Sequence, residues 1–135
     1  MESFWENPYV KTAGFFSVAV IALIIFLTVF EIVTRYRNWH EIKKGNMAVA
    51  MATGGKIFGI SHIFHYAIMH NDSMWEALVW SGYGFLLLLV AYFLFEFFTP
   101  AFKVDDEIAQ DNRAVGFVSM VLSIALSYVI GAGIP

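Results

Sequence analysis

The sequence predicts an all-α integral membrane protein, a four-helix bundle made of two parallel helical-hairpin repeats. Three observations carry that reading. The 135 residues are 59% hydrophobic and only 14% charged, with a mean hydropathy of +0.68, whereas soluble domains run at roughly 45–50% apolar and about 25% charged. Four segments are apolar enough to cross a hydrocarbon core of about 30 Å, which takes roughly 20 residues of helix. A set of polar residues also recurs in the same order in the two halves of the chain.

Taken in order, residues 1–12 read as a short tail on the outer side. Glu2 and Glu6 stand where a signal peptide carries positive charge, so the first apolar run is expected to stay in the membrane as an anchor. The first span is expected over 13–34, with Glu31 its one charge. The second, over 46–69, is interrupted by Lys56, His62 and His65. It still reads as a span, because an irregular segment in lipid leaves its backbone hydrogen bonds unmet. The third runs over 74–98 and ends at Glu96 and Thr99-Pro100, where proline stops the helix. The fourth, over 114–134, has no formal charge. The first repeat is thus 13–70 and the second 71–135.

Orientation is read from lysine and arginine. Arg35, Arg37, Lys43 and Lys44 lie between spans one and two, and Lys103 and Arg113 between spans three and four. Only Lys11 lies on the other side. This places the hairpin loops in the cytoplasm and both termini outside. Trp5, Tyr9, Trp75 and Trp80 are expected in the outer aromatic belt, and Tyr36 and Trp39 in the inner one.

The first loop reads FEIVTRYRNWHEIKKGNMAVA and the second FEFFTPAFKVDDEIAQDNRAVG. Phe30-Glu31 matches Phe95-Glu96. After one extra residue in the second copy, Glu41-Ile42 matches Glu107-Ile108, and Asn46 matches Asn112. The asparagines are read either as N-caps of spans two and four or as interior residues of helices that begin earlier, near Trp39 and Asp105. Glu41 and Glu107 are structural members of the same motif. Small residues line one face of each second helix: Ala48, Ala52, Gly55 and Gly59, then Gly116, Ser119, Ser123, Ser127 and Gly131. Such faces pack membrane helices closely, within a chain or between copies.

With its paired FE…EIKKGNMAVAMATGG and FE…DEIAQDNRAVGF, the chain resembles the bacterial membrane family catalogued as domain of unknown function 350, over about residues 12–135. The resemblance implies a small four-span protein of the bacterial inner membrane with no assigned activity. Family members are often encoded near membrane-stress proteins of the phage-shock A or flotillin kind, which implies envelope maintenance. The departure from the family lies at Lys56 to His65, where small and aliphatic residues are expected.

That departure holds the candidate chemistry. Lys56 falls about 15 Å along its helix from Asn46, near the bilayer centre, where an ionisable group costs several kcal/mol. Glu31 and Glu96 are its natural partners in an intramembrane cluster, functional as a proton, ion or substrate site, or structural as a buried ion pair. His62 and His65 share a helix face. With His70, and with Asp72 and Glu76 nearby, they form a candidate outer metal site. A bis-histidine haem would need a second chain. No cofactor is expected.

The acids Asp105, Asp106, Glu107 and Asp111 read as a solvated loop or helix start, with partner docking as the second reading. No cysteine, phosphate loop or nucleophile motif is present. The absence of a basic patch argues against nucleic acid. The expected role is that of a non-catalytic accessory subunit or oligomeric scaffold, partnered by the bilayer and by further copies or a larger complex. The alternative is an oligomeric ion or proton conduit with Lys56, Glu31 and Glu96 in its path.

Overall fold

The computed structural model describes residues 2–135. The described chain is entirely helical in its regular structure. A short α1 (Glu2–Glu6) leads into α2 (Pro8–Val33), and α3 (Asn38–Lys43) and α4 (Met47–His70) follow. Then come α5 (Met74–Phe97), α6 (Val104–Ala109) and α7 (Arg113–Ala132). Four of these, α2, α4, α5 and α7, have the length and hydropathy of membrane spans. The first starts five residues earlier than its apolar pattern suggests. Asn7 caps it, its side chain accepting from Tyr9 N at 2.9 Å, and Pro8 fits the first helical turn because its missing N–H has no partner there anyway.

Each long–short–long set of helices turns in the same way. Asn46 accepts from Val49 N at 3.0 Å and Asn112 from Val115 N at 3.3 Å, so both are N-caps. Both side-chain amides reach back five residues, to Glu41 at 3.3 Å and to Glu107 at 2.9 Å. The helices expected near Trp39 and Asp105 do exist, as the separate short α3 and α6. The residue before each cap takes the left-handed backbone conformation, Gly45 at φ +88° and Asp111 at φ +62°. Glycine enters it freely, and aspartate is among the few other residues that tolerate it.

The two turns also interlock. Asp111 Oδ1 accepts from Ala48 N at 3.0 Å, supplying a second cap to α4. In return the Asn46 amide donates to Ala109 O at 3.0 Å and Ile108 O at 3.3 Å. The backbone groups left over at the helix ends are thereby met inside the protein.

Around this junction α4 forms the centre and is the most buried of the spans, and α2 is the most exposed. The small-residue faces meet within the chain. A Cβ on Gly55 would lie 2.7 Å from Met120 Cα, and one on Gly116 would lie 2.7 Å from Ala48 Cα and O. Gly59 faces Ser123 O, and Gly131 receives the Tyr66 ring. With no hydrophobic drive between helices in lipid, such backbone approach supplies the association through dispersion contacts.

Two apolar clusters result. One joins Phe30, Ile60, Ile63, Phe64, Phe85, Leu88 and Tyr92. The other, at the hairpin-loop end, joins Tyr36, Val49, Ala52, Val104, Ile108 and Val115. Tyr36 is 5% exposed and so belongs to the core and not to a lipid-facing aromatic belt. Trp80 is likewise packed against the first cluster, while Trp5, Tyr9, Trp39 and Trp75 are exposed.

Gly54 and Gly55 are neighbours with opposite surroundings, since nothing lies within 4 Å of a Cβ on Gly54. Gly55→Ala is expected to lower stability in detergent by about 1–3 kcal/mol through overpacking. Gly54→Ala should raise it by up to about 1 kcal/mol. Denaturant-induced unfolding of the two variants checks the pair, and equal effects would remove the close α4–α7 contact.

Candidate functional site

Lys56 is fully buried on α4, at the seam of the two clusters. Four other segments converge on it. Its ammonium donates to the Tyr36 hydroxyl at 3.1 Å, from the turn between α2 and α3. It also lies 5.1 Å from the ring centre of Phe30 on α2, 5.3 Å from Tyr36 and 5.0 Å from Tyr92 on α5. Aromatic faces attract a cation most strongly when water is excluded. The fourth segment is α6, whose Asp105 is 5% exposed and interacts electrostatically with Lys56.

Asp105 is held by the backbone. Its Oδ2 accepts from Arg35 N at 3.3 Å, and its own N–H donates to Glu96 Oε2 at 3.3 Å. Its Oδ1 and the Tyr92 hydroxyl have no protein hydrogen-bond partner. Burial pushes the Asp105 carboxyl above the ordinary aspartate value, against the opposing pull of Lys56 and Arg35. Burial also drives the Tyr36 phenol well above its usual value, and the negative charges of Asp105 and Glu96 add to the effect. Tyr36 therefore remains a neutral hydroxyl that accepts from Lys56.

The expected cluster of Lys56, Glu31 and Glu96 is thus rearranged. Neither glutamate pairs directly with Lys56 among the described residues. Glu31 follows Phe30 on α2, and it is Phe30 that the helix turns inward. Glu96 acts one step away, by holding the α6 backbone at Asp105. Tyr36 and Asp105 take the expected places. For Tyr36 the sequence offers only an aromatic ring in a charged loop, a signal it shares with Trp39. Asp105 has none, because nothing in the run of acids sets it apart from Asp106 and Glu107, which stay half-buried and pair with Arg35 and the Asn112 amide. Glu41, in the first loop, is held below the usual carboxylate range chiefly by the Asn46 amide.

The histidines do not gather into a metal site. Among the described residues no three histidine, cysteine, aspartate or glutamate side chains group as ligands. His62 Nδ1 lies 3.1 Å from Ser127 Oγ, which itself donates to Ile124 O at 2.6 Å, so the imidazole is the donor. His70 Nδ1 lies 3.1 Å from Ile134 O. Both are thereby committed to α7 and the chain end. His65 is exposed, its ring stacked on His62 at 6.3 Å.

Four spans enclosing a single buried lysine define a multi-pass helical membrane protein. The chain belongs to the family described as Domain of Unknown Function (DUF350), matched over residues 4–134. It is 58% identical over 134 residues to the UPF0719 transmembrane protein YshE of Bacillus subtilis (strain 168), covering 99% of this chain and 100% of that one. It is 25% identical over 104 residues, 77% of each chain, to the UPF0719 inner membrane protein YjfL of Escherichia coli (strain K12). No solved structure matches it.

Two outcomes follow. Lys56→Met leaves the Tyr36 hydroxyl unpartnered, so Tyr36→Phe should cost less in that background than in the wild type. The coupling in a double-mutant unfolding cycle should be about 1 kcal/mol or more, and additive effects would remove the bond. For Asp105 the folded pKa is raised, so the carboxylate is the disfavoured form in the folded state. The stability of wild type relative to Asp105→Asn should rise as pH falls through that raised value, the gain being complete near the ordinary aspartate value of 3.8. Melting curves of the two proteins across pH 3–8 check the sign (roughly the range in which a raised carboxyl titrates).

Proposed function

We propose that this protein is a non-catalytic membrane module, an accessory subunit or oligomeric scaffold, in the envelope-maintenance setting that the family resemblance implies. One observation carries the reading: Lys56 is sealed inside a single chain by Tyr36, Phe30 and Tyr92. A charge so enclosed fastens the loop end of the bundle and does not line a path for ions. The lateral surfaces are by contrast apolar, and an open groove of about 360 Å³ runs between α5 and α7, past Leu88, Phe95, Ser119 and Leu126. A groove of that kind takes a lipid chain or a further helix.

We also read the two long–short–long units as copies of one hairpin inserted the same way round. The matched Glu41–Asn46 and Glu107–Asn112 contacts support this. The six loop-end lysines and arginines support a cytoplasmic position for the loops.

Purified protein in liposomes should show no ion or proton flux, with or without Lys56→Leu, and extraction in mild detergent should recover it with further copies or a larger complex. Flux that Lys56→Leu abolishes in a still-assembled protein would establish the conduit instead.

A further inference from the structure

A furrow runs along the outside of α2 and α4, from mid-span to the end of the bundle that carries the termini. Its two sections, of about 480 and 250 Å³, share Phe16, Ala19 and Ile68 as walls. In a bilayer such an apolar furrow is filled neither by water, which lacks partners there, nor by nothing. Two polar features distinguish it from an ordinary lipid-facing surface. Lys11 lines its outer section and forms no ion pair among the described residues, although Asp72 lines a neighbouring recess with it. His65 and Ser61 line its inner section, both exposed, and His65 is the one imidazole of α4 that makes no protein hydrogen bond among the described residues.

Depth sets the two features in order. Lys11 lies beside Asp72, just past the end of α4, and His65 lies five residues inside that end, roughly 7 Å deeper. The step between them leads from the headgroup layer down to the ester linkages. A lysine serves anionic phosphate as a point charge, an imidazole N–H suits an ester carbonyl, and the furrow below them suits an acyl chain.

We propose that the α2–α4 furrow is a binding site for one anionic phospholipid, with its phosphate on Lys11, an ester carbonyl on His65 and an acyl chain along Ala19, Leu23 and Phe64. The apolar walls and the single cation at their mouth choose this occupant over a second copy of the chain, for which a lone unpaired lysine at the contact is a cost.

The test is native mass spectrometry of full-length protein reconstituted in vesicles of equal parts phosphatidylglycerol and phosphatidylcholine, after a fixed detergent wash. Wild type should retain one phosphatidylglycerol in preference to phosphatidylcholine. Lys11→Gln should lower that retention about fivefold, the effect of one lysine on an anionic headgroup. Ala19→Phe should lower it by filling the furrow, and Lys43→Gln, at the opposite end, should leave it unchanged. Equal retention of both lipids, or equal losses from Lys11→Gln and Lys43→Gln, would overturn the site. So would an Ala19→Phe protein that changes its oligomeric state while keeping its lipid, an outcome that assigns the furrow to a second copy.

Discussion

An ammonium group taken out of water into a hydrocarbon interior costs several kcal/mol unless the protein replaces its solvent. Lys56 is in that position, and much of the loop end of the bundle is arranged around it. One hydroxyl, three aromatic faces and a nearby carboxylate stand in for water. They come from α2, the first turn, α5 and α6, so enclosing one side chain requires both hairpins to be in place. The charge therefore acts less as a source of stability than as a constraint on arrangement, a role attested for buried polar groups in some other bundles. Any packing that displaced α6 or the first turn would strand it.

The second requirement is that α4 and α7 come close enough for that enclosure to shut. Glycine makes this approach, at Gly55 against the Met120 backbone and at Gly116 against Ala48. The crossed caps at the loop end hold the same pair in register. Asp111 serves α4, while Asn46 serves its own helix and the end of α6. Helix contact, capping and burial of Lys56 thus reinforce one another. The rest of the bundle is secured differently, by stacked rings such as Phe26 on Phe85 at 4.3 Å and by His62 on Ser127.

Much of this was legible in the sequence. The spans followed from hydropathy, because lipid leaves the backbone no alternative to helix. Local rules offered capping as one of two readings of the asparagines and marked the small-residue faces as contacts, without saying whether these lie within the chain or between copies. The partners of Lys56 did not follow, because they depend on how chain segments fold back. Glu31 and Glu96 were the nearest acids by depth along their helices, yet depth alone does not fix which way a side chain points. Asp105 belongs to a run of acids whose other members are only half-buried, and only the seating of α6 on the bundle turns it fully in. The histidines illustrate the same limit. Their spacing put His62 and His65 on one face, but the hydroxyl of Ser127 on the facing helix decided what His62 does.

The central claim is that the Lys56 amine is enclosed by its own chain, away from both water and lipid. Amine-selective labelling of the folded protein in mild detergent, read out by peptide mass spectrometry, tests this directly. The exposed Lys43, Lys44 and Lys103 should label readily, while Lys56 should remain unlabelled until the protein is unfolded in a harsh detergent. Labelling of Lys56 in the folded protein at the rate of Lys43 would contradict the account.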